Sequence, residues 1–279
     1  MAITGNPTKQ ITDARLFRQT EMTNAESYLL DGGEVSVFSA RAPEKESANE
    51  DAAGLILFSD HAAVLVVADG MGGGRAGEEA SAAAVTEVRG AVRRAAAAGD
   101  LLRTGIINGF EAANRAVRDM GVGAATTLAV VEVDQQVARP YHVGDSMILI
   151  TGQRGRIKLQ TVSHSPVGFA VESGMLDERD ALHHEDRHLV SNVIGSPQMR
   201  IEVGARVKLA PRDTLLLATD GLFDNLHIEE IVARMRSGPL AAAADCLARD
   251  AQARMVEARQ GQPSKPDDLA FVAFRPLRP

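Results

Sequence analysis

Short apolar runs bounded by turn residues alternate along this chain with long alanine-rich stretches of helical period. From residue 35 onward, VSVFSARA, GLILF and AVLVVAD are β-branched or leucine-rich segments of strand length. Two helices are predicted next, about 75–98 and about 101–119, the first rich in alanine and the second apolar at Leu102, Ile106, Phe110 and Val117. The runs TTLAVVEV, VARPYHV, SMILITG and RIKLQTV then predict a meander of antiparallel strands. Residues 163–195 break this rhythm with short helical pieces and clustered histidine and charge, and are read as a flap. The final third predicts strands at 201–208 and 214–219, helices at 227–237 and 239–259, a loop through Gly261, Pro263 and Pro266, and a last strand at 269–274. Residues 1–34 are polar and weakly patterned, an N-terminal extension or an added first strand, so the domain is set at 35–276. Strands and helices segregated in this order predict an α+β fold with helices outside packed sheets.

At 279 residues, with 45% apolar and 24% charged content, the chain can bury one substantial core. Acidic residues outnumber basic ones by 37 to 30, for a net charge of −7, and no long basic run occurs. That balance argues against a nucleic-acid footprint and favours a protein or small-molecule partner. The single cysteine, Cys246, lies in a helical pattern and cannot form an internal disulfide, which is compatible with a reducing compartment. The first 30 residues carry Lys9, Arg15 and Arg18 without a signal-peptide core, and no uncharged apolar stretch is long enough to span a bilayer. The expectation is a soluble, cytoplasmic protein without a membrane partner.

Three of the apolar runs end on an aspartate: VLVVAD at Asp69, YHVGD at Asp145 and TLLLATD at Asp220. A fourth acidic pair, Asp267-Asp268, directly precedes LAFVAF. A carboxylate at the end of a buried strand stands on a rigid rim, where segments distant in sequence can converge on one hard cation. An Asp-Gly step after a strand is also an ordinary hairpin turn, and Asp69-Gly70 and Asp220-Gly221 both fit that reading singly. Each is followed by a helical pattern instead of a partner strand, which favours the rim reading. Oxygen ligands without a Cys or His cluster of zinc spacing suit Mg²⁺ or Mn²⁺.

In order, NEDAA, ADGMGGGRAGEEAS, GAATTLAVV, VGDSMILI, the SHS to NVIG stretch, LLLATDGLFDN and PDDLAFVAF resemble the metal-dependent serine/threonine protein phosphatases of type 2C, the PPM family, in their bacterial form. The resemblance spans about residues 35–276 and implies an αββα sandwich of two antiparallel sheets. It also implies two Mn²⁺ or Mg²⁺ ions per chain, with a third, weaker one. By motif, Asp69 matches the aspartate that bridges both metals and Gly70 a carbonyl ligand. Asp220 and Asp267 match ligands of the second metal, and Asp145 shares the third with Asp220. Glu50 matches a residue that holds metal-bound water, and Asp51 an acid behind the ligands. The implied reaction is direct hydrolysis of phosphoserine or phosphothreonine by water activated between cations about 4 Å apart, with no protein nucleophile. The implied setting is signalling: a phosphorylated protein substrate, a kinase or signalling partner, and a monomeric enzyme.

Two positions depart from the family pattern. Where many relatives carry a phosphate-clamping arginine, four residues before Glu50, this chain has Glu46, and Lys45 is the candidate for the phosphate contact. Met71 stands where some relatives place a proton-donating histidine, leaving His61 and His164 as the nearest candidates by motif. His183, His184 and His188 fall in the flap and are not read as zinc ligands; His184 and Arg187 match a structural pattern of the family. Gly72, Gly73 and Gly74 lack the Lys-Ser/Thr of a nucleotide loop and are read as tight packing, while Ser146 and Ser165 lie in no nucleophile elbow. Two alternatives stand beside the enzyme: a catalytically weakened regulatory or phosphoprotein-binding domain, and a scaffold whose carboxylates only form turns.

Overall fold

The computed structural model describes residues 9–277 apart from 31, 73, 74 and 122, so Gly73 and Gly74 of the glycine run and the first eight residues lie outside it. The first sheet holds β2 (Ala14–Arg18), β5 (Asp51–Ser59), β6 (Ala62–Met71), β8 (Leu128–Asp134), β9 (Val137–Val143) and β12 (Glu202–Val203), in the order β12-β9-β8-β6-β5-β2. Two short strands join it: β7 (Ala125–Thr126) on β6 and β13 (Val207–Lys208) on β9. The second sheet holds β1 (Lys9–Gln10), β3 (Glu26–Leu30), β4 (Gly33–Ala40), β10 (Met147–Thr151), β11 (Ile157–Gln160), β14 (Thr214–Ala218) and β15 (Leu269–Pro276), in the order β1-β3-β4-β15-β14-β10-β11. All these pairings are antiparallel except β1 on β3.

The strands are apolar on both faces because each sheet is covered on both sides. Along β6, Ala63, Leu65 and Val67 enter the core between the sheets, while Val64, Val66 and Ala68 pack on the helical layer with Val85, Val88, Ile106 and Phe110. That layer is α1 (Arg75–Ala98) and α2 (Leu102–Asp119). On the opposite side, α6 (Ile228–Met235) and α7 (Leu240–Val256) cover the second sheet with Ile231, Met235, Leu240 and Leu247. The result is the expected αββα sandwich.

Two sequence expectations change. Residues 14–30, read as part of an extension or an added first strand outside the 35–276 domain, supply two strands, one to each sheet: β2 pairs with β5 and β3 with β4, with Phe17, Tyr28 and Leu30 buried in the core. Their polar pattern reflects places at the sheet margins: β2 is an edge strand that buries only Phe17, and β3, flanked on one side by the two-residue β1, buries Tyr28 and Leu30 on alternate positions. The strands after α2 also do not form one meander. The β8-β9 hairpin belongs to the first sheet, whereas β10 and β11 belong to the second. The chain changes sheets at Gly144, whose φ of 107° is a conformation L side chains rarely adopt. Because β8, β9 and β10 are largely buried on both faces, alternation could not reveal the change of sheet.

The flap contains α3 (Pro166–Glu172), α4 (Glu178–Ala181) and a 3₁₀ turn at Glu185–His188. Ser165 caps α3 by accepting the Gly168 N–H at 2.9 Å, which accounts for that serine structurally.

Candidate metal centre

One end of each sheet contributes carboxylates to a shared rim. In the first sheet Asp51, opening β5, is the cross-strand partner of Asp69 near the end of β6. In the second, β14 runs into a single helical turn, α5 (Asp220–Phe223), so Asp220 is its first residue. Asp267 and Asp268 lead into β15 beside β14, and Asp145 precedes β10 on the other side of β14. Neither Asp-Gly step is a hairpin turn. Gly70 continues β6 and pairs with Thr126, and a Cβ there would lie 2.1 Å from the Gly77 carbonyl oxygen. A Cβ on Gly221 would lie 1.9 Å from the carbonyl oxygen of Asp268. Glycine is required at both places because the backbone is packed against backbone.

Hydroxyl groups fix the acids from behind. The Asp69 carbonyl accepts the Thr126 hydroxyl at 2.7 Å and the Thr127 N–H at 2.9 Å, and its N–H donates to Thr127 Oγ1 at 3.0 Å. Thr127 in turn contacts the Ser146 hydroxyl at 2.7 Å, tying the Asp69 strand to the Asp145 turn. Thr219 donates to Asp51 Oδ2 at 2.7 Å. Sequence reading misses Thr126, Thr127 and Thr219, since threonine within a strand signals only β propensity.

Burial is the main cause of the electrostatic strain. It pushes the Asp51 and Asp69 carboxyls well above the usual carboxylate range, and repulsion from the neighbouring aspartates adds to it. Burial, with Asp220 next, pushes Asp145 up to about 7. Asp220 and Asp267 are raised by burial and by their acidic neighbours, against the opposing charge of Lys265. Asp145 Oδ1 is buried and makes no hydrogen bond. An all-oxygen set with a buried, unpartnered carboxylate oxygen fits a hard divalent cation.

Two lysines are embedded in the cluster. Lys45 Nζ lies 2.6 Å from Glu50 Oε2 and 2.7 Å from Asp268 Oδ2, so its amine is engaged by carboxylates. Asp268, 3% exposed, also accepts the N–H groups of Ala42 at 2.8 Å and Glu50 at 2.6 Å, which commits both its oxygens to holding the 42–50 loop. Asp267 instead faces Lys265 at 3.0 Å. The Lys265 ammonium also reaches Asp220 at 2.5 Å and Asp224 at 3.1 Å. Lys265 and Asp224 were not candidates from sequence. Asp224 carries a usable signal, standing four residues after Asp220 on one helical turn.

The histidine candidates for proton delivery are placed elsewhere. His61 is exposed in the β5-β6 turn, at the opposite end of strands that begin and end on Asp51 and Asp69, roughly 25 Å away at about 3.3 Å per residue. His164 is buried: its Nδ1 accepts from the Gly144 N–H at 3.1 Å and the Asn192 amide at 3.0 Å, and its Nε2 donates to Glu202 at 3.0 Å. Its ring stacks on His142 at 4.3 Å, and His142 Nε2 meets the Val162 carbonyl at 2.9 Å. His142, His164 and Glu202 bring ligand-type atoms within 4.8 Å of one another, but the hydrogen bonds make this a brace between flap and Asp145 turn. A cavity of 330 Å³ opens between that flap and Asp145, Asp220 and Asp224, walled by Val167, Val171 and Phe223.

The protein phosphatase 2C family profile matches residues 41–258. This chain belongs to the protein phosphatase 2C family. Protein phosphatase PhpP of Streptococcus pneumoniae is 30% identical over 196 residues, covering 67% of this chain and 78% of that protein. The Streptococcus agalactiae serine/threonine phosphatase superposes with a TM-score of 0.75 at 25% identity, covering 87% of this chain and 99% of the other. The catalytic domain of the serine/threonine phosphatase PstP, solved in complex with 2 manganese ions, superposes with a TM-score of 0.64 at 22% identity, covering 86% and 96%. In this phosphatase the family match contains Glu50, Asp51, Asp69, Asp145 and Asp220 but ends before Asp267, whose place rests on the geometry above. No helix among the described residues is long and apolar enough to cross a membrane.

Proposed function

We propose that this phosphatase removes phosphate from phosphoserine and phosphothreonine of a protein substrate by attack of water activated at a binuclear Mn²⁺ or Mg²⁺ centre. The observation that carries the reading is the convergence of Asp69, Asp220, Asp267 and Asp145 on one rim, with Asp145 Oδ1 buried and unpartnered. Asp69, the Gly70 carbonyl, Asp220 and Asp267 would hold the two cations, with Asp145 and Asp220 at a weaker third site. When bound, such ions lower the pKa of a coordinated water and neutralise charge on the phosphoryl oxygens. The two-manganese PstP domain shares this fold and supports the reading.

The chain's own residues supply placement. Thr126 and Thr127 fix the Asp69 backbone, Thr219 holds the Asp51 carboxylate, and Asp268 with Lys45 holds Glu50 at the rim. The buried acids repel one another and so favour a multivalent cation over sodium. The oxygen of water bonds to phosphorus, the P–O bond to the side chain breaks, and the Ser or Thr oxygen leaves with a proton.

A second reading, a weakened relative that binds phosphoproteins, is favoured by one observation: Glu46 stands where a clamping arginine is expected, and the neighbouring Lys45 is held by two carboxylates. Phosphate release from a phosphothreonine peptide, measured with and without Mn²⁺ in wild type and Asp69→Asn, separates the two. Mn²⁺-dependent turnover lost in the variant supports the enzyme; binding of the peptide without turnover in wild type supports the alternative. A cytoplasmic place opposite a protein kinase belongs to the same proposal.

A further inference from the structure

The Lys265 ammonium sits among three carboxylates of the rim, at 2.5 Å from Asp220, 3.0 Å from Asp267 and 3.1 Å from Asp224. Its position is set by the backbone. The fully buried Asn225 accepts the Lys265 N–H through Oδ1 at 2.8 Å and donates its amide to the Lys265 carbonyl at 2.8 Å and to the Gly221 carbonyl at 2.9 Å. This single side chain therefore ties the lysine's peptide groups to the helical turn that begins at Asp220. Pro263 and Pro266 flank the segment and restrict its backbone, and the Ser264 hydroxyl donates to the Arg254 carbonyl at 2.8 Å. Nothing comparable anchors a solvated surface lysine, and the Lys265 side chain is only 23% exposed.

Asp220 and Asp267 are also the carboxylates assigned above to one of the two cations. A +1 ammonium and a +2 metal ion cannot share these oxygens, because the charges would stand within one contact distance of each other with no anion between them. Whichever occupies the pocket, the other must leave. The four-carbon stem allows departure: rotation of the side chain can carry the ammonium out while Asn225 keeps the backbone fixed.

We propose that Lys265 is a tethered competitor for the divalent cation at Asp220, Asp224 and Asp267. It compensates these acids when metal is scarce and must be displaced before the second ion binds. The inference rests on the binuclear reading of the preceding section. It makes the two metal sites unequal: the ion that would sit on Asp69 and the Gly70 carbonyl displaces no charge, whereas the ion that would sit on Asp220 and Asp267 must expel the lysine. Loading of the second site then depends on the free metal concentration over a higher range than loading of the first.

The test is calorimetric titration of the metal-stripped full chain with Mn²⁺, comparing wild type with Lys265→Met, which keeps the stem and removes the charge. The expected result is a first, tightest site that is unmoved in Lys265→Met and a second that tightens about tenfold or more, both above any weaker third site. Superimposable isotherms overturn the proposal. Reductive methylation of the wild-type chain, read by mass spectrometry, needs no variant to fold. Lys265 should be protected without metal and labelled in saturating Mg²⁺, and equal labelling in both states also overturns the proposal. Absence of Mn²⁺ binding in both proteins fails differently, since it removes the binuclear reading itself and the competition with it.

Discussion

Lys45 Nζ and Asp268 Oδ2 lie 2.7 Å apart, and the same carboxylate oxygen accepts the Glu50 N–H at 2.6 Å. The pair therefore works on Glu50 from both ends, the lysine on its side chain and the aspartate on its backbone. Asp268 is 3% exposed and Lys45 22%, so removing the lysine alone leaves a buried carboxylate short of its counter-charge. Lys45→Met is expected to destabilise the fold by about 1–2 kcal/mol, discounted for the partial exposure of the lysine. In a double-mutant cycle with Asp268→Asn, the coupling should be about 1 kcal/mol. If Lys45 serves to position Glu50, its loss lowers kcat about tenfold and leaves KM for a phosphopeptide within about twofold; a selective rise in KM would return the amine to the phosphate. Urea midpoints and steady-state kinetics on the same proteins decide both points.

Thr219 makes a similar but neutral contribution. Its hydroxyl donates to Asp51 Oδ2 at 2.7 Å and accepts the Ala270 N–H at 3.0 Å, and the residue is fully buried. Thr219→Val preserves shape while removing a donor to a buried acid and an acceptor for a backbone N–H. A loss of about 2–3 kcal/mol is expected from denaturant unfolding, with Thr219→Ser recovering most of it. A Val variant as stable as wild type would mean that both groups find other partners.

The acids at strand ends were legible because an apolar run that stops on aspartate leaves that side chain at the sheet rim, as at Asp69, Asp145 and Asp220. The helices over 75–98 and 102–119 were legible for the same local reason, period and length. The route of the chain between sheets was not, since β9 and β10 are largely buried on both faces and only the geometry at Gly144 separates them. Lys265 was equally hidden. A lysine between prolines reads as a solvated loop residue, and nothing local says that a segment 45 residues beyond Asp220 returns to it. Lys45 was read as a phosphate contact, and the carboxylates that engage its amine come from Glu50 and from Asp268, which is distant in sequence, so the pairing had no local signal.

Gly70 tests how tightly the rim is assembled. Its backbone runs between Glu50 and the third residue of α1: its N–H donates to the Glu50 carbonyl at 3.1 Å, and an added Cβ would fall 2.1 Å from the Gly77 carbonyl oxygen and 2.7 Å from that of Glu50. Both neighbours are backbone atoms and cannot rotate away. Gly70→Ala is expected to cost about 3 kcal/mol or more and to reduce Mn²⁺ affinity by moving Asp69. Thermal melts and metal titration of the variant measure the two effects, and wild-type values for both would show that α1 yields easily.

The acid cluster should give the metal-free protein an unusual pH dependence. Burial raises Asp145 to about 7, above the value of about 3.9 for the unfolded chain, so between those limits the native state holds a proton that the unfolded state has released. The stability this provides is fully present below pH of about 4 and is lost as pH rises through about 7. Asp51, Asp69, Asp220 and Asp267 are shifted in the same direction, so none of them opposes this slope. In chelator, the unfolding free energy from urea titration should therefore fall from pH of about 5.5 to about 7.5, with Asp145 contributing up to about 1.4 kcal/mol per pH unit. Asp145→Asn cannot release this proton, so its profile should be flatter than wild type by one group's share. Saturating Mn²⁺ should reverse the wild-type trend, because a cation binds the ionised acids and its stabilisation grows as they deprotonate. Parallel wild-type and Asp145→Asn profiles in chelator would place the Asp145 carboxyl in its ordinary range.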